Sequence, residues 1–81
     1  MDKPKLISLI LADDHNIVRE GLAAFCEAQQ FHVAGQCSDG MAAFEMIQSV
    51  KPDFAILDLH MPKMDGVQVV RKVKENHFPR G

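Results

Sequence analysis

The sequence predicts an α/β protein in which a parallel β-sheet carries helices on both faces. Two continuous apolar segments, Leu6 to Ala12 and Phe54 to Leu57, have the composition of buried parallel strands. Segments with apolar residues at three- and four-residue spacing alternate with them, which is typical of amphipathic helices. This alternation predicts βαβ units with right-handed crossovers and a parallel sheet, and the three strands are expected in the order 2-1-3.

The first strand is followed by a helix and a short second strand. Polar residues 13–16 end the first apolar run, and the helix after them is predicted to end near Gln29 or Gln30. The second strand is assigned to Phe31 to Cys37, where polar residues interrupt the apolar ones. The helix face expected to be buried carries Val18, Leu22, Phe25 and Cys26.

Helix boundary signals divide the second half of the chain. Ser38 and Asp39 are good N-cap residues for a second helix, and Lys51 is expected to end it because a residue before proline disfavours the helical conformation. The third strand runs directly into Asp58, and a third helix is predicted to end near Glu75. The buried faces are expected to carry Ala43, Ile47 and Val50 in the second helix and Val67, Val70 and Val73 in the third.

Composition narrows the class of protein. Eighty-one residues allow one domain, and a net charge of -2 with interspersed signs gives no basic patch for direct nucleic-acid binding. The longest apolar run is too short to span a membrane, and the N-terminus lacks signal-peptide features, so we expect a cytoplasmic protein without a membrane partner. Cys26 and Cys37 fit neither a disulfide framework nor a metal motif and are expected to be buried free thiols.

Acidic residues follow two of the predicted strands. Asp13 and Asp14 come directly after strand one, and Asp58 comes directly after strand three. Neighbouring parallel strands lie about 4.8 Å apart and end at the same sheet edge, so the three carboxylates should converge there. Such oxygen donors suit Mg²⁺, and a carboxylate beside Mg²⁺ can attack phosphorus to form an aspartyl phosphate. Alternatively, Asp13 or Asp14 simply caps the first helix.

Two segments carry a family resemblance. The sequence Leu11 to His15, followed by Val18 to Leu22, resembles the first signature of response-regulator receiver domains, and Pro52 to Gly66 resembles the second. The first is most similar to receivers that precede a LuxR-type helix-turn-helix domain. The resemblance implies that residues 1–81 form a partial, truncated flavodoxin-like fold from which strands four and five are absent. The Ser or Thr and the Lys that those strands carry therefore have no counterpart here.

The resemblance also implies roles for individual residues. Asp58 would be the phosphoacceptor, Asp14 a direct Mg²⁺ ligand and Asp13 a ligand acting mostly through water. The backbone carbonyl of His60 would complete the metal site. The implied partner is a sensor histidine kinase, and DNA would be reached only through an output domain outside this chain. Such a module is a phosphorylated substrate with some self-catalysis and not a turnover enzyme.

Two other functions remain open at this point. A Mg²⁺-dependent phosphatase of the haloacid-dehalogenase type also uses an aspartyl nucleophile, but that family has a second aspartate two residues later, where this sequence has His60. The third interpretation is a receiver fragment that acts only by dimerisation. Strand three, Phe54 to Leu57, would have an exposed apolar edge, so we expect either a homodimer joined through that edge or poor folding.

Overall fold

A three-stranded parallel sheet between helices forms the fold in the computed structural model, which describes residues 6–77. The strand order is β2-β1-β3 with both pairs parallel, so the predicted order 2-1-3 is confirmed. The elements in chain order are β1 (Ser8–Ala12), α1 (Asn16–Ala28), β2 (His32–Cys37), α2 (Gly40–Val50), β3 (Phe54–Leu57) and α3 (Gly66–His77).

The central strand β1 forms part of two hydrophobic clusters. Leu9 and Leu11 pack with α1, whereas Ala12 packs with α2 and α3. All four residues from position 9 to 12 are at most 3% exposed. Successive side chains of a strand point to opposite faces, so a strand covered on both sides must be apolar throughout. This explains the continuous apolar run of β1.

Side chains and backbone conformation fix the helix ends. The Asp39 carboxylate accepts a hydrogen bond from the backbone N–H of Ala42 at 2.8 Å, which confirms the predicted cap of α2. At α3, Asp65 and Gln68 form a reciprocal capping box, each side chain accepting from the other residue's backbone N–H at 2.8 and 2.9 Å. Lys51 ends α2 in the left-handed region at φ 53°.

The buried face of α1 differs from the predicted one. Val18 and Phe25 are 56% and 60% exposed, whereas Ala23 and Cys26 are buried and Leu22 is partly buried against them. The face of α1 that packs against β1 contains Leu22, Ala23 and Cys26. The predicted stripe was therefore right for Leu22 and Cys26 and wrong for the other two.

The buried face of α3 also differs from the predicted one. Val67 and Val70 are 50% and 46% exposed, and the fully buried valine is Val69. Val73 packs against the same cluster, as predicted. Residues 69 and 73 satisfy a four-residue spacing as well as residues 70 and 73 satisfy a three-residue spacing, so the pattern alone does not distinguish the two faces. In α2, the terminal Val50 is also exposed, at 42%.

Two further expectations concern the cysteines and membrane-spanning helices. Cys26 and Cys37 are both free thiols; Cys26 is buried, as predicted, whereas Cys37 is only partly buried. Among residues 6–77, no helix combines the length and the apolar character that crossing a membrane requires.

The outer edge of β3 is exposed, as the sequence predicts. Phe54 is 58% exposed and Ile56 is 41% exposed, although both lie in a strand of four apolar residues. Within the described sheet, β3 pairs only with β1.

Substitutions at two neighbouring valines test which face of α3 is buried. We expect Val69→Ala to lower the free energy of unfolding by about 2 kcal/mol, because it leaves a cavity in a fully buried cluster. Val70→Ala removes the same atoms from a half-exposed position and should change it by less than about 0.5 kcal/mol. Urea unfolding followed by far-ultraviolet circular dichroism measures both, and equal losses would contradict this orientation.

Candidate functional site

Backbone hydrogen bonds hold two aspartates at the carboxyl edge of the sheet. The N–H of Asp58 donates to the carbonyl of Ala12 at 2.9 Å, and the N–H of Asp13 donates to the carbonyl of Cys37 at 3.1 Å. Both bonds continue the pairing of β1 with its neighbours by one step. Pairing within the sheet therefore fixes the backbone positions from which the Asp13 and Asp58 side chains extend.

Four side chains bring possible ligand atoms together at this edge. One atom each from Asp13, Asp14, His15 and Asp58 lies within 4.8 Å of all the others, a spacing at which they could hold one metal ion. The His15 Nδ1 atom is 2.8 Å from Asp13 Oδ1, 3.2 Å from Asp14 Oδ1 and 3.9 Å from Asp58 Oδ2. The three carboxylates that the sequence predicts to converge are thus adjacent, and an imidazole joins them.

Charge explains why these acids tolerate one another. The pKa of Asp13 is lowered because the backbone N–H of His15 and then its ring donate hydrogen bonds to the carboxylate. The pKa of His15 is raised, first by the hydrogen bond with Asp13 and then by the negative charge of Asp14. Each group favours the charged form of the other, and a bound cation would supply the same compensation.

Helix capping does not account for the acidic pair. His15 is the N-cap residue of α1, and no side chain caps this helix. Asp13 Oδ1 instead accepts a hydrogen bond from the backbone N–H of His15 at 2.9 Å. This N–H precedes the first residue of the helix. The alternative interpretation of Asp13 or Asp14 as the N-cap residue is therefore wrong.

Arg19 supports the loop that carries the acids. Its guanidinium donates to the backbone carbonyl of Asp13 at 2.8 Å and, through Nε, to Gln36 Oε1 at 3.1 Å. These contacts connect the start of α1 to β1 and β2. The sequence predicts no role for Arg19, although the residue lies in the segment that resembles the first receiver signature and one helical turn after His15.

The loop after β3 lies close behind Asp58. The N–H of His60 donates to Asp58 Oδ1 at 3.4 Å, and the N–H of Gly66 donates to the Leu59 carbonyl at 3.3 Å. A Cβ atom at Gly66 would lie 2.6 Å from the backbone oxygen of Asp58. The start of α3 can approach the acceptor strand this closely because residue 66 has no side chain.

Comparison with known proteins identifies the family. The family model for the response regulator receiver domain matches residues 9–80. The chain belongs to this family. Receiver domains of transcriptional response regulators are signalling modules and not turnover enzymes, and they bind Mg²⁺ at an acidic pocket.

Relatives of this receiver share its fold and much of its sequence. The transcriptional regulatory protein LiaR of Bacillus subtilis is 41% identical over 69 residues, covering 84% of this chain and 33% of that protein. The receiver domain of the putative response regulator NarL from Mycobacterium tuberculosis superposes with a TM-score of 0.82 at 40% identity, covering 89% of this chain and 59% of that one. A DNA-binding response regulator of the LuxR family from Staphylococcus aureus gives a TM-score of 0.85 at 30% identity, covering 89% and 61%.

These alignments bear out the flavodoxin-like fold and the resemblance to LuxR-type regulators. The chain spans about a third of the length of the curated relatives it matches.

Two glycines provide a matched test of the close approach at Asp58. We expect Gly66→Ala to lower the free energy of unfolding by about 1–3 kcal/mol, because the new methyl group would displace the Asp58 backbone or the start of α3. Gly21→Ala adds the same group to α1 with nothing within 4 Å and should instead stabilise by about 0.5–1 kcal/mol. Urea unfolding measures both changes; a neutral or stabilising Gly66→Ala would show that the contact is not tight.

Proposed function

We propose that this receiver accepts a phosphoryl group on Asp58 from the phosphohistidine of a sensor histidine kinase. The observation that carries the proposal is the convergence of Asp13, Asp14 and Asp58 at the carboxyl edge of β1 and β3 in a member of the receiver family. In the longer protein, which the curated relatives suggest, the phosphorylated domain would control transcription through a DNA-binding output domain. We place its action in the cytoplasm, where sensor kinases present their phosphohistidine.

Mg²⁺ fits the donors that this chain offers. Asp14 and Asp58 would bind it directly, Asp13 would act mostly through water, and the backbone carbonyl of His60 would add another oxygen. Hard oxygen ligands with several retained waters are what Mg²⁺ requires. When bound, it supplies positive charge that neutralises the oxygens of the phosphoryl group.

The Asp58 side chain is arranged to act as a nucleophile. It is 25% exposed, so an incoming phosphoryl group can reach it, and the N–H of His60 orients Oδ1. One carboxylate oxygen forms a bond to phosphorus while the phosphorus–nitrogen bond of the donor breaks. The donor imidazole keeps the bonding electron pair and takes up a proton. The backbone hydrogen bond to Ala12 holds the acceptor in position throughout.

The phosphatase interpretation has less support. The second aspartate of such a phosphatase would stand at position 60, where this chain has a histidine. The backbone N–H of His60 donates a hydrogen bond to Asp58 Oδ1. The cluster of possible ligand atoms in residues 6–77 contains no acid from the loop after Asp58.

Phosphorylation by acetyl phosphate tests the proposed acceptor. With Mg²⁺ present, we expect intact mass spectrometry to show a gain of roughly 80 Da, one phosphoryl group. Asp58→Asn should abolish the adduct because its amide cannot act as the nucleophile, and chelation of Mg²⁺ should strongly reduce it. Glu45→Gln removes a carboxylate from an exposed position on α2 and should leave the adduct unchanged.

Other results of this experiment would point elsewhere. An adduct that persists in Asp58→Asn would exclude Asp58 as the acceptor. Release of phosphate over many turnovers would favour the phosphatase. No adduct with any variant would favour a purely structural fragment.

We also propose that the 81-residue chain forms a homodimer through the open edge of β3. This edge presents backbone groups that pair with no other described strand, and Phe54 and Ile56 add exposed apolar surface on one face beside them. A second copy of β3 supplies a strand of matching length and similar apolar character. Edge strands of this kind are templates for pairing with another chain.

Sedimentation velocity on edge variants tests this dimer. We expect the wild-type chain to sediment as a dimer and Ile56→Lys to sediment as a monomer, because a charge on the edge opposes strand pairing. Ile17→Lys places the same charge on α1, where the isoleucine is already 87% exposed, and should leave the dimer intact. A folded wild-type monomer at micromolar concentration would rule the dimer out.

A further inference from the structure

The imidazole of His15 adds a nitrogen donor to a site otherwise made of oxygen donors. We infer that His15 is a further direct protein ligand through Nδ1, which gives up its proton when the ion binds, and that it makes the site prefer first-row transition ions such as Co²⁺ over Mg²⁺. The inference rests on the proposed function only in that the three aspartates hold a divalent ion.

The distances around Nδ1 match the spacing of ligands on one ion. At a metal–ligand distance of roughly 2.1 Å, neighbouring ligands of an octahedral ion are roughly 3.0 Å apart and opposite ligands roughly 4.2 Å apart. The 2.8 Å separation between Nδ1 and Asp13 Oδ1 is the hydrogen bond described above. Nδ1 lies 3.2 Å from Asp14 Oδ1, as a neighbouring ligand would. Its separation from Asp58 Oδ2, 3.9 Å, is closer to that of opposite ligands.

The chemistry of the donor set determines which ion benefits. Imidazole suits Zn²⁺, Co²⁺, Ni²⁺ and Fe²⁺, whereas Mg²⁺ takes carboxylates, carbonyls and water. For a site of mixed nitrogen and oxygen ligands, affinity rises along the first-row series from Mn²⁺ to Cu²⁺. A nitrogen ligand at this position therefore strengthens binding of the transition ions and contributes little to Mg²⁺.

Among residues 6–77, the described side-chain contacts of His15 are all with the acidic cluster. The residue occupies the N-cap position of α1, yet its side chain makes no capping hydrogen bond. The ring is 69% exposed and contacts the acids through Nδ1. Its backbone N–H, which any residue except proline provides, already makes the turn-forming bond to Asp13. An Asn here would be a good N-cap residue and would remove the ring nitrogen.

Calorimetric titration with Co²⁺ and with Mg²⁺ tests the inference on the 81-residue chain. We expect His15→Asn to weaken Co²⁺ binding about tenfold or more while changing the Mg²⁺ affinity less than about twofold. The visible absorption of bound Co²⁺ should shift in this variant, since an oxygen or water replaces the nitrogen. His32→Asn removes an exposed histidine from the opposite end of the sheet and should change neither affinity nor spectrum.

The outcomes separate this inference from the proposed function. If His15→Asn changes both affinities by the same factor, or changes neither, His15 is not a selective ligand. If the Co²⁺ spectrum of the variant equals that of the wild type, His15 is not a ligand at all. Either result leaves phosphorylation of Asp58 standing when the acetyl phosphate adduct still forms with Mg²⁺. Circular dichroism of His15→Asn establishes that the variant is folded.

Discussion

The end of the central strand is the constraint on which the rest of the structure depends. At this point the Ala12 carbonyl accepts from the N–H of Asp58, and the N–H of Asp13 donates to the Cys37 carbonyl. Two consecutive residues where β1 ends therefore bind both neighbouring strands, and these bonds fix the backbone positions of Asp13 and Asp58. This geometry requires β1 to lie in the middle of the sheet, which in turn requires apolar side chains on both of its faces.

Much of the fold could be predicted from the sequence because burial on both faces leaves a simple pattern. The continuous run in β1, the second run in β3 and the cap residue Asp39 each identify an element without reference to the others. The orientation of α1 and α3 could not be predicted, because three- and four-residue spacings describe adjacent stripes of the same helix. The buried stripe of α1 contains the small residue Ala23, and α3 begins at Gly66, where a Cβ atom would lie 2.6 Å from the Asp58 backbone oxygen. The choice of stripe depends on how closely two elements approach, which the spacing of apolar residues does not encode.

The candidate site could be predicted in part for a related reason. The position of a residue at the end of a parallel strand determines which edge of the sheet it reaches, so the meeting of Asp13, Asp14 and Asp58 follows from topology. The position of His15 depends on the turn after β1. That turn is fixed by the hydrogen bond from its own N–H to Asp13 and by the Arg19 contact with the Asp13 carbonyl. His15 and Arg19 both lie in the segment that resembles the first receiver signature, but their residue types alone do not predict these two contacts.

The open edge and the proposed phosphoacceptor share one short strand. β3 has four residues and pairs on one side with β1, and Asp58 follows its last residue directly. The only backbone bond described for the Asp58 N–H is the one to Ala12, so the precision of the acceptor depends on how firmly β3 is held. A strand added to the outer edge of β3 would restrict its motion and therefore the position of Asp58, whichever chain supplies that strand. On one face of the sheet, Val69 of α3 belongs to the hydrophobic cluster against which Leu57 of β3 packs. We therefore expect the proposed chemistry at Asp58 to depend on whether the edge of β3, which lies outside the acidic cluster, is covered.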